Sequence, residues 1–402
     1  MPRQGCPYPR AVPAPLPARR GRCGVGQGGV GQGGVGQGGV GQGGLGGAGV
    51  GRAGTGVRRR AASLLLAGAG LLLAGCGTVL IGPDRPLSAQ PAVTAPADLP
   101  VPVASAPRVG AVVKTNWLTG EEVPDSPVLA VKIDNTASAR PQAGLSQADV
   151  VYVEEVEGGA TRLLAVFQTE LPGEVGPIRS ARTSDIIILG RYASPGFAFS
   201  GGNSGVVGEL QAADLSLVSF DTARGGYARS PARQAPYDVM GNAGQLLGRV
   251  PDAGVAVDVG FRFGAAPAGG RAVSGASYAW GSATIDFAWS PGDGRWLQSM
   301  DGRPSEAAEG GRLGADTVVL QSVPVIGSAY VDVNGARSPE VRPVGEGAVV
   351  VLRDGQAHEG RWSRPGLDDI TTFTTAAGEE LRFDTGQTWV VYTDEGTGPT
   401  LR

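Results

Sequence analysis

The chain has 402 residues, enough for about two domains of ordinary size once its low-complexity segments are set aside. Its 34 basic and 37 acidic residues leave a net charge of −3, so no basic field exists to draw in nucleic acid. A single histidine, His358, removes most familiar zinc sites and the Ser-His-Asp arrangement, both of which normally need imidazole. Beside Glu359 on a strand-like stretch, it reads as a solvated surface residue.

Residues 1–56 are low in complexity, with Gly-Val-Gly-Gln-Gly repeated four times from residue 24 to residue 43. Such a composition cannot bury a core, and we expect it to lie outside the mature protein. Translation from Val57 would account for it, valine being how a GTG start would read. Residues 57–75 have the parts of a secretory signal in order: Arg58 to Arg60, an apolar run from Ala61 to Leu73, then small residues before Cys76. The run is shorter than the roughly 20 apolar residues a spanning helix needs, and Gly68 and Gly70 interrupt it. Leu73-Ala74-Gly75-Cys76 resembles the lipobox of bacterial lipoproteins. That resemblance implies cleavage between Gly75 and Cys76 and fatty acylation, palmitate included, of Cys76. With the arginines held inside, the rest of the chain is exported to the extracytoplasmic face of the cell membrane. Cys6 and Cys23 lie upstream, so the mature chain has no thiol pair for a disulfide.

Residues 76–108 form a tether rich in Pro and Ala, with seven prolines from Pro83 to Pro107. At roughly 3.1 Å per residue, it can lift a domain several tens of ångströms from the lipid. Residues 109–250 alternate strand and helix patterns. β-Branched runs at Val128–Ile133, Val150–Val156 and Leu163–Gln168 predict strands, and Ser180–Tyr192 predicts a helix. Residues 251–402 read as β-rich, through Ala283–Trp289, Thr317–Val323, Ala348–Leu352, Leu381–Phe383 and Thr388–Tyr392. The expected class is α+β, a mixed α/β domain followed by a β-rich one. Trp280, Trp289, Trp296, Trp362 and Trp389 all fall in the second half, where large aromatics at strand spacing are expected to fill a sheet core.

The motifs Lys132-Ile133-Asp134-Asn135, Ala139-Arg140-Pro141-Gln142-Ala143-Gly144-Leu145 and Ala148-Asp149-Val150-Val151-Tyr152 are similar to those of the YerB family of lipoproteins. So are Val156-Glu157-Gly158-Gly159-Ala160-Thr161-Arg162, Gly176-Pro177-Ile178-Arg179-Ser180-Ala181-Arg182, Gly360-Arg361-Trp362 and Gly386-Gln387-Thr388-Trp389-Val390. The resemblance covers roughly residues 110–395 and implies two domains on an envelope lipoprotein, without supplying an activity. Where the family often has Glu after the motif tyrosine, this chain has Val153, with Glu154 and Glu155 following. Where it typically has Pro-His-Asn, this chain reads Pro236-Tyr237-Asp238, so a mechanism built on that histidine is not available.

The candidate ligand-binding residues are Arg162, Arg179, Arg182, Lys132, Asp134 and Asn135. Gly176 to Ser180 reads as a turn entering a helix with Ser180 as N-cap, which would set Arg179 and Arg182 at a helix start that favours anions. Guanidinium forks suit phosphate and carboxylate. In the competing reading, the arginines brace the fold against Asp134, Asp149, Glu157 or Asp185. The Gly201–Gly205 loop is a second possible approach surface. These features support a non-catalytic binding module for an anionic cell-wall component or partner protein, needing no cofactor or metal. Two alternatives stay open: an enzyme acting on a lipid-linked phosphate or pyrophosphate sugar, with Asp134 holding Mg²⁺ or accepting a proton, and a structural scaffold.

Overall fold

The computed structural model describes residues 113–402 apart from 223, 333 and 334. Cys76, the Gly75–Cys76 cleavage point, the signal and the tether lie outside the described residues. Within them, no helix is long and apolar enough to cross a membrane.

Eleven strands form the main sheet: β1 (Leu129–Asp134), β2 (Val150–Val156), β3 (Ala160–Phe167), β4 (Gly196–Phe199), β5 (Ser216–Ser219), β6 (Arg271–Ala272), β7 (Thr317–Val323), β8 (Gly345–Arg353), β9 (Gln356–Arg364), β10 (Thr372–Thr375) and β11 (Thr388–Asp394). They run in the order β6-β9-β8-β7-β11-β2-β3-β1-β4-β5, with β10 paired to β9. The two halves of the sequence meet inside this sheet, because β11 lies parallel to both β7 and β2. Thr388 to Val391 of β11 pair with Val150 to Val153 of β2. A central strand is apolar where the sheet is covered on both faces, and Val150–Val153 of β2 and Trp389–Tyr392 of β11 meet that demand, up to the point where charge begins at Glu154.

Side chains alternate across the sheet with a period of two. Leu129, Val131, Ile133, Val151, Val153, Leu163 and Ala165 share a core with Ala276, Ile285, Phe287 and Trp296 of a second, six-stranded sheet. Ala130, Val150, Tyr152, Leu164 and Val166 point the other way, toward α1 (Thr183–Leu189) and α2 (Ser204–Ala212), which bury Ile188, Leu189, Val206 and Leu210 there. The sheet is thus the middle layer, and each face buries the apolar stripe that neither layer could leave in water.

Strand outweighs helix more than the α+β expectation allowed. Among the described residues the α-helices are α1, α2 and α3 (Ala243–Leu247), with seven, nine and five residues. The predicted helix over Ser180–Tyr192 shrinks to Thr183–Leu189, with Arg182 at the N-cap in place of Ser180. Pro177 and the extended backbone that follows are tied to neighbouring strands instead: the Ile178 amide donates to the Val239 carbonyl and the Arg179 amide to the Lys132 carbonyl, at 2.7 and 2.9 Å. Trp296, Trp362 and Trp389 are at most 1% exposed and fill the core, whereas Trp117 stands at the surface. His358 is not solvated as expected. It lies on β9 at 3% exposure, its Nε2 has no hydrogen-bond partner, and burial lowers its pKa. The neighbouring Glu359 takes the outward position of the alternating strand.

Candidate functional site

The apolar stripe on the helix side of β1, β2 and β3 gives way to charge at one end of the strands. Asp134 and Glu154 both stand opposite Arg162, one on each side of β3, and paired positions share a face. Lys132 sits two residues further in on β1. Over these ends runs the extended Ile178–Ala181 segment and then the start of α1.

Lys132 is completely buried, its ammonium bonded to the Glu154 carboxylate and, at 2.7 Å, to Asp185 of α1. Burial lowers its pKa to about 8, against the pull of Asp185. Asp185 also accepts from the Arg182 amide at 2.7 Å, so this cluster pins the first turn of α1 to the sheet. Asn135 is buried too, donating to the Thr161 hydroxyl and accepting from the Gln142 amide, both at 2.9 Å. Neither Lys132 nor Asn135 lines the cleft where the other candidates gather, so of the six these two stay buried beneath it.

The other four do meet, around a cleft of about 600 Å³. Arg179 reaches it from the extended segment and donates through Nε to Asp134 at 2.8 Å. Asp134 also accepts from the Thr136 amide and hydroxyl, at 2.8 and 2.6 Å. Burial works to raise its pKa, but these donors outweigh it and hold the carboxylate below its usual value. A carboxylate so engaged is a weak base at neutral pH, which disfavours the proton-accepting role that the enzyme alternative gave it. Arg182 forks onto Glu157, with Nε and Nη2 at 2.9 and 2.6 Å, and the Ser338 hydroxyl joins them. Burial again opposes the shift, yet Glu157 sits at about 2.

Arg162 differs. Its residue is only 8% exposed, its Nη1 donates to the Ser180 carbonyl at 2.9 Å, and no carboxylate among the described residues lies within ion-pair distance. Burial, followed by the like charges of Arg182 and Arg179, lowers its pKa to about 9. The guanidinium is still cationic at neutral pH, held where its charge is poorly compensated.

The glycine-rich loop predicted as a second surface belongs to this same cleft, through Gly202 and Asn203. Gly205 is needed for packing, because a Cβ there would run into the Tyr330 ring. Asn203 caps α2 by accepting from the Gly205 amide at 2.9 Å. Ser338, and Asp332 at the rim, come from the second half of the sequence, and nothing local in that half signalled them.

Two family models match the chain: Protein of unknown function (DUF3048) N-terminal domain over residues 115–256, and the corresponding C-terminal domain over residues 276–390. The chain belongs to the YerB-like two-domain family. YerB of Bacillus subtilis (strain 168), provisionally designated a lipoprotein, is 34% identical over 141 residues. That alignment spans 33% of this chain and 42% of the Bacillus protein. The crystal structure of the YerB protein from Bacillus subtilis shares the fold, with a TM-score of 0.62 at 19% identity, covering 72% of this chain and 99% of that one. Within this YerB-like frame, the arginine cleft is built where both halves of the sequence meet.

Proposed function

We propose that this chain is an exported envelope lipoprotein, acylated at Cys76 and held on the outer face of the cell membrane, whose cleft binds an anionic envelope component through Arg162, Arg179 and Arg182. The lipid anchor rests on the lipobox-like sequence and on the lipoprotein designation of the Bacillus relative.

The observation that carries the binding site is Arg162. A buried guanidinium without a counter-ion is costly, and chains generally pair or neutralise such charges. Here two further guanidiniums stand beside it, each already matched by its own carboxylate, which leaves Arg162 as the surplus positive charge of the inner cleft. An oxyanion entering the cleft would supply the missing partner and gain charge-assisted hydrogen bonds from Arg162 and Arg179, while Arg182, its fork held by Glu157, contributes charge alone. Asp332 at the rim is occupied by the Ala336 amide at 2.8 Å.

The test is a thermal-shift and calorimetric titration of the purified chain with orthophosphate and pyrophosphate, beside Arg162→Gln. Stabilisation of the wild type that is lost in the variant supports the site. No stabilisation by either anion, or equal stabilisation of both proteins, sinks it.

A further inference from the structure

Resting on that reading of the Arg162 cleft, we infer that its ligand is a linear polyanion bearing repeated phosphate groups, laid along a trough of which the cleft is one end. The wall of the trough is a single loop, residues 134–142. Asp134 and Thr136 line the first cleft. Ser138, Arg140 and Pro141 line a second, of about 490 Å³, facing Arg233 and Tyr237. Arg140, Pro141 and Gln142 line a third, of about 480 Å³, facing Asp301 and Arg303.

These clefts are continuous in their walls. Arg140 and Pro141 belong to both the second and the third, and the Arg179 guanidinium of the first lies 5.8 Å from the centre of the Tyr237 ring of the second. Each volume is in the range of a small-molecule site, so one phosphate would leave most of even the first cleft to water.

Each cleft also holds one guanidinium with no carboxylate at ion-pair distance among the described residues: Arg162, Arg233 and Arg303. Arg233 is positioned by main chain and not by counter-charge, donating to the carbonyls of Ala139, at 2.9 Å, and of Pro141. Arg303 is exposed. Two of the acids along the strip are already used, Asp134 by Arg179 and Asp301 by Arg140, both at 2.8 Å, while Glu306 lies in the third cleft. Among the described residues, the first two compartments each hold one cation that no acid pairs, and the third holds Arg303 beside the unpaired Glu306, a spacing of cations that suits a chain with one anionic group per repeat. Phosphate fits better than carboxylate in the first cleft, because the donors not already given to Glu157 arrive in different directions, from Arg162 on β3 and from Arg179 on the extended segment. A tetrahedral oxyanion can accept from all of them, whereas a planar carboxylate matches one fork.

The experiment is calorimetric titration of the purified chain with orthophosphate, pyrophosphate, long-chain sodium polyphosphate and polygalacturonate at two salt concentrations. Long-chain polyphosphate should bind at least about tenfold more tightly than pyrophosphate, since each further contact is made intramolecularly. Its affinity should also fall more steeply with salt, because more counterions are released. Arg303→Ala, an exposed position, and Arg233→Ala should each reduce the ratio of polyphosphate to pyrophosphate affinity about threefold or more. Equal affinity for long and short anions, or ratios unchanged in both variants, overturns the trough while leaving the Arg162 cleft standing. Polygalacturonate binding as tightly as polyphosphate overturns the choice of phosphate. If no phosphate species binds at all, the underlying anion site falls with it.

Discussion

Glu157 accepts the whole guanidinium fork of Arg182, at 2.9 Å from Nε and 2.6 Å from Nη2, with both side chains about 10% exposed. Arg162, on the neighbouring strand, has no such partner. The two arginines should therefore respond oppositely to removal. Arg182→Ala strands a buried carboxylate and should cost about 3 kcal/mol, the low end for a broken buried pair because some solvent reaches both groups. Arg162→Gln removes a buried charge that Asp134 and Glu157 attract without pairing it, and should leave the unfolding midpoint near that of the wild type, or raise it. Urea denaturation of both variants decides the matter. A loss in Arg162→Gln as large as that in Arg182→Ala would make Arg162 a structural brace.

Lys132 should prove structural, although its motif reads as a ligand site. Its ammonium serves two buried carboxylates, Glu154 and Asp185, and one oxygen of Glu154 has no other partner. Lys132→Met leaves both acids buried without a cation and should destabilise by about 3–5 kcal/mol. The triple change Lys132→Met, Glu154→Gln, Asp185→Asn removes the charges together and should recover much of that loss, because the side-chain carbonyl that Asp185→Asn retains can still accept from the Arg182 amide. A single variant that melts like the wild type but no longer responds to pyrophosphate would return Lys132 to the site.

Asp149 sets a pH dependence of opposite sign to that of Glu157. Burial raises Asp149 to about 6, even though it accepts from Thr169 and from the Gln168 amide. Between about pH 4 and 6 the folded state holds this proton more tightly than the unfolded state, so the stability Asp149 contributes is fullest at low pH and declines as pH rises through that window. Glu157, lowered to about 2, contributes stability that is present above its unfolded value and is lost as pH falls toward 2. Asp149→Asn keeps a side-chain acceptor for the two amides and removes the titration. Its melting temperature should exceed that of the wild type at pH 7, and the difference should shrink toward pH 4. A difference that stays constant across that range would mean that Asp149 does not titrate there.

The strands were legible wherever burial dictates composition. Val150–Val156 and Thr317–Val323 have the bounds their β-branched runs predict, because β2 and β7 are interior strands of a sheet covered on both faces. The gathering of Arg162, Arg179, Arg182 and Asp134 was legible as a set of residue types near strand and helix ends. Their partners were not, since pairing is a long-range property: Glu157 and Arg182 are 25 residues apart, and Ser338 reaches Glu157 across 181. Arg179 was misread for a local reason. Gly-Pro followed by a serine looks like a helix start, but the sheet beside it offered Ile178 and Arg179 backbone partners, and pairing there extends the chain as far as Ala181. Arg140, named only within a motif, and Arg233 were not among the candidates, because the backbone carbonyls that bond them carry no signature in a sequence.

Cys76 should carry the membrane attachment. Acyl chains on that cysteine would hold the protein at the membrane, each buried CH₂ contributing about 0.8 kcal/mol. One chain gives only marginal, reversible binding, whereas the diacylglycerol expected at a lipobox supplies two and holds firmly. In Cys76→Ala the thiol to be acylated is gone, and the chain should either accumulate uncleaved or appear in the medium. Membrane fractions washed in high salt separate acyl anchoring from electrostatic adhesion, because salt screens charge and leaves apolar burial intact. Mass spectrometry of the wild-type N-terminus should find a lipid-modified cysteine as the first residue. A Cys76→Ala chain that matures to the same size and stays in the salt-washed membrane would show that something other than Cys76 holds the protein there.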